Sequence, residues 1–395
     1  MASFRKRGCT CEKKRCTCGA KWEYRIKYTD RRTGKQREKS KGGFETVKEA
    51  RLAAAEEELK IEQLGFAENG DERVERYFSE WLEVYKKPNV KPITYSVQER
   101  NVRLNILPYW GNYRLKNIAR TDYQKWINEL RINYSEGTVR RIHSIFSSAM
   151  NDAVHEFRII RENPIQKIKI PKDVEKTRRV KFFSKEQLEI FLNSLKKTQK
   201  NAKYQHSIQY YVLFALMARS GIRIGDALAL NWDDLDDLNK TIFINKTLVY
   251  PLNSNPYIST PKSKKSERKV RLDDQIFKLL KKHRLNQKEV VMMYENYKAS
   301  NESIMFHQHD GRWLRTNVVR EYFKEVCKRC NLPILSPHAL RHTHAVHLLE
   351  AGKNLKYVSE RLGHASVKVT ADTYLHITEK MENEALKLYS TYIEN

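Results

Sequence analysis

The sequence has few acidic residues relative to its basic ones. Its 395 residues include 48 Asp and Glu against 75 Lys and Arg, which gives a formal net charge of +27. A surplus of this size indicates a polyanionic partner, and nucleic acid is the commonest one. Ribosomal and membrane-surface proteins carry similar surpluses, so charge alone leaves those classes open. The basic residues are spread along the chain, which favours a long track of phosphate contacts over a short basic tail.

The sequence also lacks long apolar runs. No run approaches the roughly 20 residues that span a bilayer. The polar, basic segment Met1–Arg7 is not followed by the apolar stretch of a signal peptide. We therefore expect a soluble cytoplasmic protein with no membrane partner, a compartment in which disulfides are rare. No internal repeat of 20–50 residues is present.

Residues 1–66 form a basic first region. Residues 1–41 hold 15 Lys and Arg against 4 acidic residues. Apolar and polar residues alternate from Trp22 to Tyr28, which predicts a strand, and a turn and a second short strand follow. A pattern rich in Ala, Glu and Lys predicts a helix that ends at Leu64. The region is expected to be a small sheet backed by one helix.

The second region, residues 71–170, has the apolar period of amphipathic helices. Apolar residues recur three and four positions apart along two stretches, which predicts one buried face on each helix. They are Val74, Tyr77, Phe78, Trp81, Leu82 and Tyr85, and then Val139, Ile142, Ile145, Phe146, Ala149, Met150 and Ala153. Arg140 and Arg141 lie off the second stripe. Such a face is usually only solvated, and DNA contact is the alternative. A charged, Pro-containing linker is expected over residues 163–179.

The third region, residues 180–395, is expected to be mainly helical. Ser184 and Gln187 have the spacing of a capping box and predict the start of a helix. The apolar pattern predicts a further helix over about residues 211–230. Strands are expected over residues 241–250 and 269–272, and helices from there onward.

Several residues of the third region suit phosphodiester cleavage, which needs a nucleophile, cations for the developing charge and a proton for the leaving oxygen. Arg223 lies in an apolar segment with Asp226 three residues on, where a structural ion pair is the simpler interpretation. Lys262 lies at the predicted tip of a hairpin, and a lysine near phosphate can protonate a departing alkoxide. A solvated basic loop would have the same sequence.

The remaining candidates lie further along the third region. His338 and Arg341 are three residues apart and share a helix face, although the polar face of an ordinary helix start would look similar. His364 follows Leu362-Gly363, and Tyr374 comes ten residues later. A tyrosine is usually a packing residue, and periodicity does not single out Tyr374 among the 21 tyrosines of the chain.

These segments together resemble the catalytic domain of the tyrosine recombinase family, which includes the integrases of phages and conjugative transposons. The motifs, in order, are G-I-R-I-G-D, P-K-S-K, H-A-L-R-H-T, L-G-H and T-Y-L-H. They extend over about residues 180–380, nearly the whole third region. Each motif is weak alone, but their order and separation make a strong signal.

The resemblance implies a role for each matching residue. Arg223 and Arg341 would clamp the phosphate, Lys262 would protonate the 5′-oxygen, and His338 would act as base or proton shuttle. His364 would donate a further hydrogen bond to phosphate. Tyr374 would attack to give a 3′-phosphotyrosine and a free 5′-hydroxyl.

Some positions depart from the family pattern. Asp226 replaces the usual Glu and should still anchor the arginine. Arg219 stands where a small or apolar residue is commoner, and the sequence offers no account of it. Lys264 and Lys265 lie close to Lys262 and compete with it as the acid. The other nearby histidines, interpreted as structural or close to DNA, are His342, His344, His347 and His376.

The first two regions also resemble parts of this family. Residues 71–170 resemble the helical core-binding domain, which clamps the crossover duplex together with the catalytic domain. Residues 1–66 resemble the arm-type DNA-binding domain, whose three-stranded sheet is expected to lie in a DNA groove. The basic residues expected to contact DNA are Arg5, Lys6, Arg7, Arg25, Lys27, Arg140, Arg141 and Lys264.

The six cysteines form two groups. Cys9, Cys11, Cys16 and Cys18 offer four thiolates within ten residues, which suits a tetrahedral structural zinc site. The CxC pairs are tighter than the usual CxxC knuckle, so four reduced thiols are an equal alternative. Cys327 and Cys330 lie on a helical pattern without a second pair and are expected to pack in the core.

The expected fold class is mainly α with small β, in three domains. Residues 1–66 form a three-stranded sheet with one helix, residues 71–170 a helical core-binding domain, and residues 180–395 a mixed α/β catalytic domain with a C-terminal tail. The expected function is site-specific DNA recombination by an integrase of a mobile element. A type IB topoisomerase and a non-catalytic DNA-binding regulator are the alternatives.

The resemblance also implies partners for the protein. These are double-stranded DNA with core and arm attachment sites in a bacterial host, three further copies of the chain in a homotetramer, an excision factor and a DNA-bending host protein. No cofactor is required by the implied chemistry, because the phosphotyrosine bond conserves the energy needed for religation.

Overall fold

The computed structural model describes residues 2–9, 19–29, 36–64, 71–173, 181–201, 206–251, 255–261, 264–293, 303–308, 310–374, 390 and 393. The chain divides into two compact units, Met1–Lys176 and Thr177–Asn395. The predicted division into three domains therefore remains a prediction for the boundary between the first two.

The first unit begins with an antiparallel sheet of three strands in sequential order. The strands are Ala2–Lys6 (β1), Trp22–Thr29 (β2) and Gln36–Phe44 (β3), and the helix Val47–Leu64 (α1) follows. Tyr24 and Ile26 of β2 are buried against Ala54 of α1, as the period-two pattern predicted. Strand β1 is not apparent in the sequence, since Phe4 is its only large apolar residue and pairing with β2 determines its conformation.

The rest of the first unit is helical, as predicted. Its helices are Val74–Glu80 (α2), Pro92–Asn101 (α3), Leu107–Trp110 (α4), Arg120–Asn133 (α5) and Glu136–His155 (α6), with a 3₁₀ turn at Leu115–Asn117. The π-helical segments Trp81–Lys86 and Val102–Ile106 continue α2 and α3. Every residue of the second predicted stripe is buried. In the first stripe Tyr85 is only partly buried at the edge of the core.

The predicted linker begins too early. Ile165 is fully buried in the helical core, and Asn163 is 6% exposed, with its side-chain amide donating to Asn151 Oδ1 at 2.7 Å. The first part of residues 163–179 therefore packs on the helical domain. Its Pro and charged residues concealed the apolar side chains at positions 165, 168 and 170, which pack on that core.

The second unit is also mainly helical, with two small antiparallel sheets. The helices are Lys185–Asn201 (α7), His206–Ser220 (α8), Ile224–Leu228 (α9), Asp274–Met293 (α10), Thr316–Arg329 (α11), His338–Glu350 (α12), Leu355–Leu362 (α13) and Val367–Tyr374 (α14). The strands are Leu235–Asp236 (β4), Thr241–Ile244 (β5), Thr247–Val249 (β6), Tyr257–Ser259 (β7) and Arg268–Arg271 (β8). One sheet has the order β4-β5-β8, and the other pairs β6 with β7.

Local signals place the start of α7 correctly. The Ser184 hydroxyl accepts from the Gln187 backbone N–H at 3.2 Å, and the Gln187 side chain accepts from the Ser184 N–H at 3.0 Å. This is the predicted capping box. Cys327 is fully buried in the core and Cys330 packs against it, which confirms the packing role expected for this pair.

One prediction for the second unit is wrong. The helix expected over residues 211–230 is broken between α8 and α9, because Gly221 adopts a left-handed conformation with φ of 68°. Lys262 itself lies outside the described residues, so its expected place at a hairpin tip stays a prediction. The described strands on either side of it pair with other strands, β7 with β6 and β8 with β5. Register and pairing partner are tertiary properties that local alternation does not encode.

Phe146 is a sensitive probe of the helical core. Its ring is fully buried and lies 5.0 Å from Tyr123 and 5.2 Å from Phe78, measured between centroids. Phe146→Ala should lower the free energy of unfolding by about 3–5 kcal/mol, because it removes transfer energy and leaves a cavity. Urea denaturation of the full chain measures this change. Ser144→Ala, at an exposed position of the same helix, is the control, and an equal loss in both variants would contradict the packing assigned to Phe146.

Candidate active site

The break between α8 and α9 brings two of the candidate site's groups into position, the carbonyl of Gly221 and the side chain of Arg223. A Cβ atom on Gly221 would lie 2.6 Å from Leu362 Cδ2 and 2.8 Å from His344 Cδ2. Both the space and the positive φ therefore require glycine. The chain then turns so that Arg223 occupies the N-cap position of α9. The sequence G-I-R thus positions an arginine at a helix end instead of within a helix.

Arg341 of α12 lies at the centre of the site. The side chain is 1% exposed. Its Nη1 donates to the carbonyl of Gly221 at 2.7 Å, and its Nη2 donates to the carbonyl of Leu362 at 2.8 Å. Burial, followed by the nearby charges of Arg223 and Arg268, lowers the pKa of Arg341 to about 9. The guanidinium therefore stays charged at neutral pH and keeps further N–H donors for a phosphate.

Arg223 and Asp226 form the ion pair that the sequence predicted. Nη1 of Arg223 lies 3.7 Å from Oδ2 of Asp226, and the carboxylate is nearly buried whereas the arginine side chain is 37% exposed. The buried carboxylate of Asp226 anchors one side of the guanidinium, and the exposed part of Arg223 is available to bind an anion. The geometry is compatible with the anchoring role expected of Asp226.

A third arginine, Arg268, was not recognised in the sequence. Its Nε donates to the carbonyl of Arg361 at 2.7 Å and its Nη1 to the carbonyl of Ser266 at 3.0 Å. Burial lowers the pKa of Arg268 to about 10. The negative charge of Asp226 opposes this decrease, and the positive charge of Arg223 adds to it. Nη2 is buried and has no hydrogen-bond partner among the described residues. The sequence does contain one indication that Arg268 points inward. It lies two residues before the buried Val270, and alternate residues of a strand such as β8 share a face.

Tyr374 ends α14, and its side chain is 1% exposed. Its hydroxyl oxygen lies 2.8 Å from Nδ1 of His342. Burial raises the pKa of Tyr374 to about 12, and the charge of Arg341 opposes that rise. The structure therefore places the predicted nucleophile beside the central arginine. Its direct partner, His342, was interpreted from sequence only as structural or close to DNA.

The histidines of the site are held in the neutral form. His338 packs edge-on against His342 with ring centroids 4.7 Å apart. Burial, then the proximity of His342 and Arg341, lowers the pKa of His338 to about 4. His364 follows the left-handed Gly363 that ends α13, and its Nδ1 lies 2.8 Å from the Thr370 hydroxyl. Burial, then the charges of Arg341 and Arg223, lowers the pKa of His364 to about 4.

A second layer of contacts supports the site and explains Arg219. Its guanidinium donates to Asp273 at 3.0 Å and to Gln275 at 2.7 Å. The backbone carbonyl of Arg219 accepts from Arg361 at 3.2 Å, and Arg361 also donates to Nε2 of His344 at 2.9 Å. Arg219 thus ties α8 to the start of α10. The sequence does not reveal this role of Arg219, because all of its partners are distant along the chain.

Some predicted site residues fall outside the description. Lys262 and His376 lie outside the described residues, as does the side chain of Lys264 at the start of the 3₁₀ turn Lys264–Ser266. Cys11, Cys16 and Cys18 also lie outside them, so the predicted zinc site stays a prediction. Across the described ranges, no group of three or more His, Cys, Asp or Glu side chains is placed to hold a metal ion.

The N-terminal sheet presents basic residues around one buried carboxylate. Glu23 is 4% exposed, and Arg25 lies 2.8 Å from it, Arg5 3.3 Å and Arg7 3.8 Å. Side chains alternate between faces along a strand, so Lys27 shares this face and Lys6 belongs to the opposite one. Lys6 instead lies over the ring of Trp22 at 5.6 Å.

Arg140 and Arg141 are exposed on α6. Nε of Arg140 lies 2.7 Å from Glu136 one turn away. This pair is an ordinary solvent-exposed helix contact. The structure therefore leaves their contact with DNA as a prediction.

Comparison with protein families accounts for most of the chain. A model described as the phage integrase family matches residues 181–381, over half of the sequence. The chain belongs to the phage integrase family. A phage integrase N-terminal SAM-like domain matches residues 74–131, and an arm DNA-binding domain matches residues 13–61. The chain is thus a tyrosine recombinase, an enzyme that cleaves and rejoins DNA strands.

Curated relatives agree with this assignment. The ICEBs1 integrase of Bacillus subtilis (strain 168) is 27% identical over 298 residues, which cover 74% of this chain and 76% of the relative. The integrase of Staphylococcus phage L54a is 29% identical over 319 residues, covering 77% of this chain and 89% of the relative.

Solved structures of the family share the fold. A Tn1549 transposon integrase in complex with transposon right end DNA superposes with a TM-score of 0.66 at 21% identity, covering 81% of this chain and 100% of that one. A lambda integrase dimer bound to a COC′ core site gives a TM-score of 0.56 at 16% identity, covering 89% and 91%. The expected fold class, mainly helical with small sheets, is confirmed. Within the described part of the chain, no helix is long and apolar enough to cross a membrane.

Buried neutral histidines predict a pH-dependent stability. His283 is 3% and His344 is 8% exposed, and burial lowers the pKa of the first to about 4 and of the second to about 3. Both titrate near 6.5 when unfolded. Their contribution is therefore complete above pH 6.5 and decreases below it, by up to about 1.4 kcal/mol per pH unit for each histidine.

Urea denaturation of the full chain between pH 7.5 and pH 5 measures this loss. His283→Gln should make the pH dependence shallower. His155→Gln, at an exposed position, should leave it unchanged. An identical slope for wild type and His283→Gln would show that the buried imidazole is not its source.

Proposed function

We propose that Tyr374 is the nucleophile of this recombinase. It would attack the scissile phosphate to form a 3′-phosphotyrosine, and the 5′-oxygen would leave with a proton. The observation that carries the proposal is the contact between Tyr374 and α12. Its hydroxyl lies 2.8 Å from the side chain of His342, the residue next to the buried Arg341. The proposed nucleophile thus contacts the neighbour in sequence of the proposed phosphate-binding cation.

The two predicted clamp arginines suit different parts of the phosphate. Arg341 is fixed by two backbone carbonyls and gives a rigid donor array. Arg223 is anchored by Asp226 but is partly open, so it can close on DNA when the duplex binds. Together the two positive charges would stabilise the doubly negative equatorial oxygens that develop in the transition state.

The remaining roles follow the resemblance to the family. We propose that Lys262 protonates the leaving 5′-oxygen, that His364 donates a hydrogen bond to phosphate, and that His338 acts as base or proton shuttle. The side chains of this set supply the nucleophile, the charge neutralisation and the protons, so the reaction requires no metal or other cofactor. Religation is the reverse attack by a 5′-hydroxyl.

A nicked suicide substrate tests the nucleophile. On such DNA the released fragment diffuses away and the covalent intermediate accumulates. Wild type should form a covalent adduct that migrates with the protein in denaturing gels. Tyr374→Phe should form none while it still binds the duplex, because it lacks only the attacking oxygen. An adduct formed by Tyr374→Phe would contradict the assignment, and Tyr357→Phe is a matched control at an exposed tyrosine.

We propose that the biological purpose is integration and excision of a mobile element. The arm DNA-binding match at residues 13–61 supports this, since chromosome-dimer resolvases of the family lack such a domain. The relatives named as integrases support it too. The partners would be double-stranded DNA with core and arm sites, a homotetramer on two duplexes, an excision factor and a DNA-bending host protein, with the reaction taking place in the bacterial cytoplasm.

A type IB topoisomerase is the rival enzyme, since it shares the chemistry but acts as a monomer. Mixing two duplexes with the protein and sizing the complex distinguishes the two. A complex of four protein chains and two duplexes supports the recombinase assignment. Relaxation of supercoiled DNA by a monomer, without such a complex, would favour the topoisomerase.

The basic face of the N-terminal sheet is proposed to bind the arm site. Each lost phosphate contact should reduce the slope of log affinity against log salt by about 0.9. Arg25→Ala should show this reduction with full-length protein and arm DNA. Lys48→Ala, an exposed change on the backing helix, should not. Equal slopes for Arg25→Ala and wild type would place the arm interface elsewhere.

The N-terminal cysteines suit either of two states, a tetrahedral zinc site or four reduced thiols. Metal analysis of the purified full chain distinguishes them. One zinc per chain that is lost in Cys9→Ser would support the site. Absence of zinc after purification from zinc-supplemented medium would support the thiols.

A further inference from the structure

Tyr374 and His342 form the closest polar contact to the reacting oxygen. Nδ1 of His342 is 2.8 Å from the Tyr374 hydroxyl, and the rings meet edge to face with centroids 5.7 Å apart. This distance and approach suit an O–H donating to a nitrogen lone pair. Among the described residues, the hydroxyl contacts His342 and not His338, which packs behind His342.

We infer that His342 accepts the proton of the Tyr374 hydroxyl during strand cleavage and returns it during religation, which leaves His338 the role of proton shuttle instead of base. This inference rests on the proposed function, since it presumes that Tyr374 is the nucleophile. As the phenolic oxygen bonds to phosphorus, its proton moves to Nδ1 of His342. The P–O5′ bond breaks with its electron pair on O5′, which takes a proton from a separate acid. The reverse transfers restore both groups when a 5′-hydroxyl attacks the phosphotyrosine.

The burial of Tyr374 makes an internal acceptor necessary. Only 1% of its side chain is exposed, so bulk water is poorly placed to receive the proton. The pKa of Tyr374 is raised to about 12 by burial, which makes spontaneous ionisation at neutral pH rare. A base that contacts the hydroxyl removes this barrier in the step where the oxygen attacks.

The surroundings keep His342 able to accept. Burial, then the charge of Arg341, lowers its pKa below the ordinary value, so the imidazole is neutral at physiological pH and Nδ1 has a lone pair in the Nε2–H tautomer. The packing of His338 against it fixes the ring orientation. When phosphate binds between the arginines, its negative charge would stabilise the imidazolium that forms.

Substitution by asparagine separates proton transfer from alignment. In His342→Asn the side-chain oxygen can still accept a hydrogen bond from Tyr374, but it cannot take the proton at neutral pH. We expect the single-turnover cleavage rate of full-length His342→Asn on a suicide substrate to fall by about 10²-fold or more. His347→Asn is the control, since His347 lies on the same helix and contacts the backbone of Phe183 at 3.1 Å.

A substrate with a 5′-bridging sulfur identifies the affected proton. A thiolate leaves without protonation, so this substrate bypasses the general acid but still needs the nucleophile to be deprotonated. His342→Asn should remain slow on it, whereas Lys262→Ala should be slow on normal DNA and recover on the sulfur substrate. Recovery of His342→Asn on the sulfur substrate would mean that His342 serves the leaving group, and it would overturn the inference.

A cleavage rate of His342→Asn close to that of wild type would also overturn the inference, because alignment would then suffice. Circular dichroism and DNA binding of the variant verify that it is folded. These outcomes are distinct from failure of the proposed function. That failure would appear as no adduct in wild type, or as an adduct in Tyr374→Phe.

Discussion

The site depends on the burial of one unneutralised cation, Arg341. Two backbone carbonyls, at Gly221 and Leu362, satisfy its hydrogen bonds, and no carboxylate contacts it among the described residues. The carbonyls replace the hydrogen bonds that the guanidinium loses from water, and they leave its positive charge in place. A paired acid would neutralise that charge and leave little attraction for a phosphate. The same two bonds join the end of α8, the start of α12 and the end of α13. Three helices of the second unit are therefore joined at the charge that we propose binds the scissile phosphate.

That cation determines the state of its neighbours. Arg341 and Arg223 contribute to keeping the nearby histidines neutral, so these groups can donate or accept a hydrogen bond without adding positive charge. Arg268 donates a hydrogen bond to the carbonyl of Arg361, and Arg341 donates one to the carbonyl of the next residue, Leu362. The C-terminal end of α13 is thus held by two arginines, and the left-handed turn at Gly363 directs His364 toward Thr370.

Much of the helical fold could be predicted from the sequence, because apolar period and capping are local. The stripe on α6 and the capping box at Ser184 are examples. The break at Gly221 was not predicted, since the close approach of Leu362 and His344, which leaves no room for a side chain there, is a tertiary contact. Of the site, the residues of the family motifs were predicted by resemblance, and the structure brings Arg223, His338, Arg341, His364 and Tyr374 into one unit. Arg268 and His342 were missed because burial and contact reveal their importance, while Lys262 remains a prediction.

The most direct test of the account is to locate the DNA on the trapped protein. Trypsin should release residues 369–380 as one peptide, and Tyr374 is its only tyrosine. Covalent adduct from wild-type protein and a suicide substrate can be digested with trypsin and nuclease and analysed by mass spectrometry. The account predicts a residual nucleotide on this peptide, attached at Tyr374. A nucleotide on any other peptide, or on another residue of this one, would contradict it.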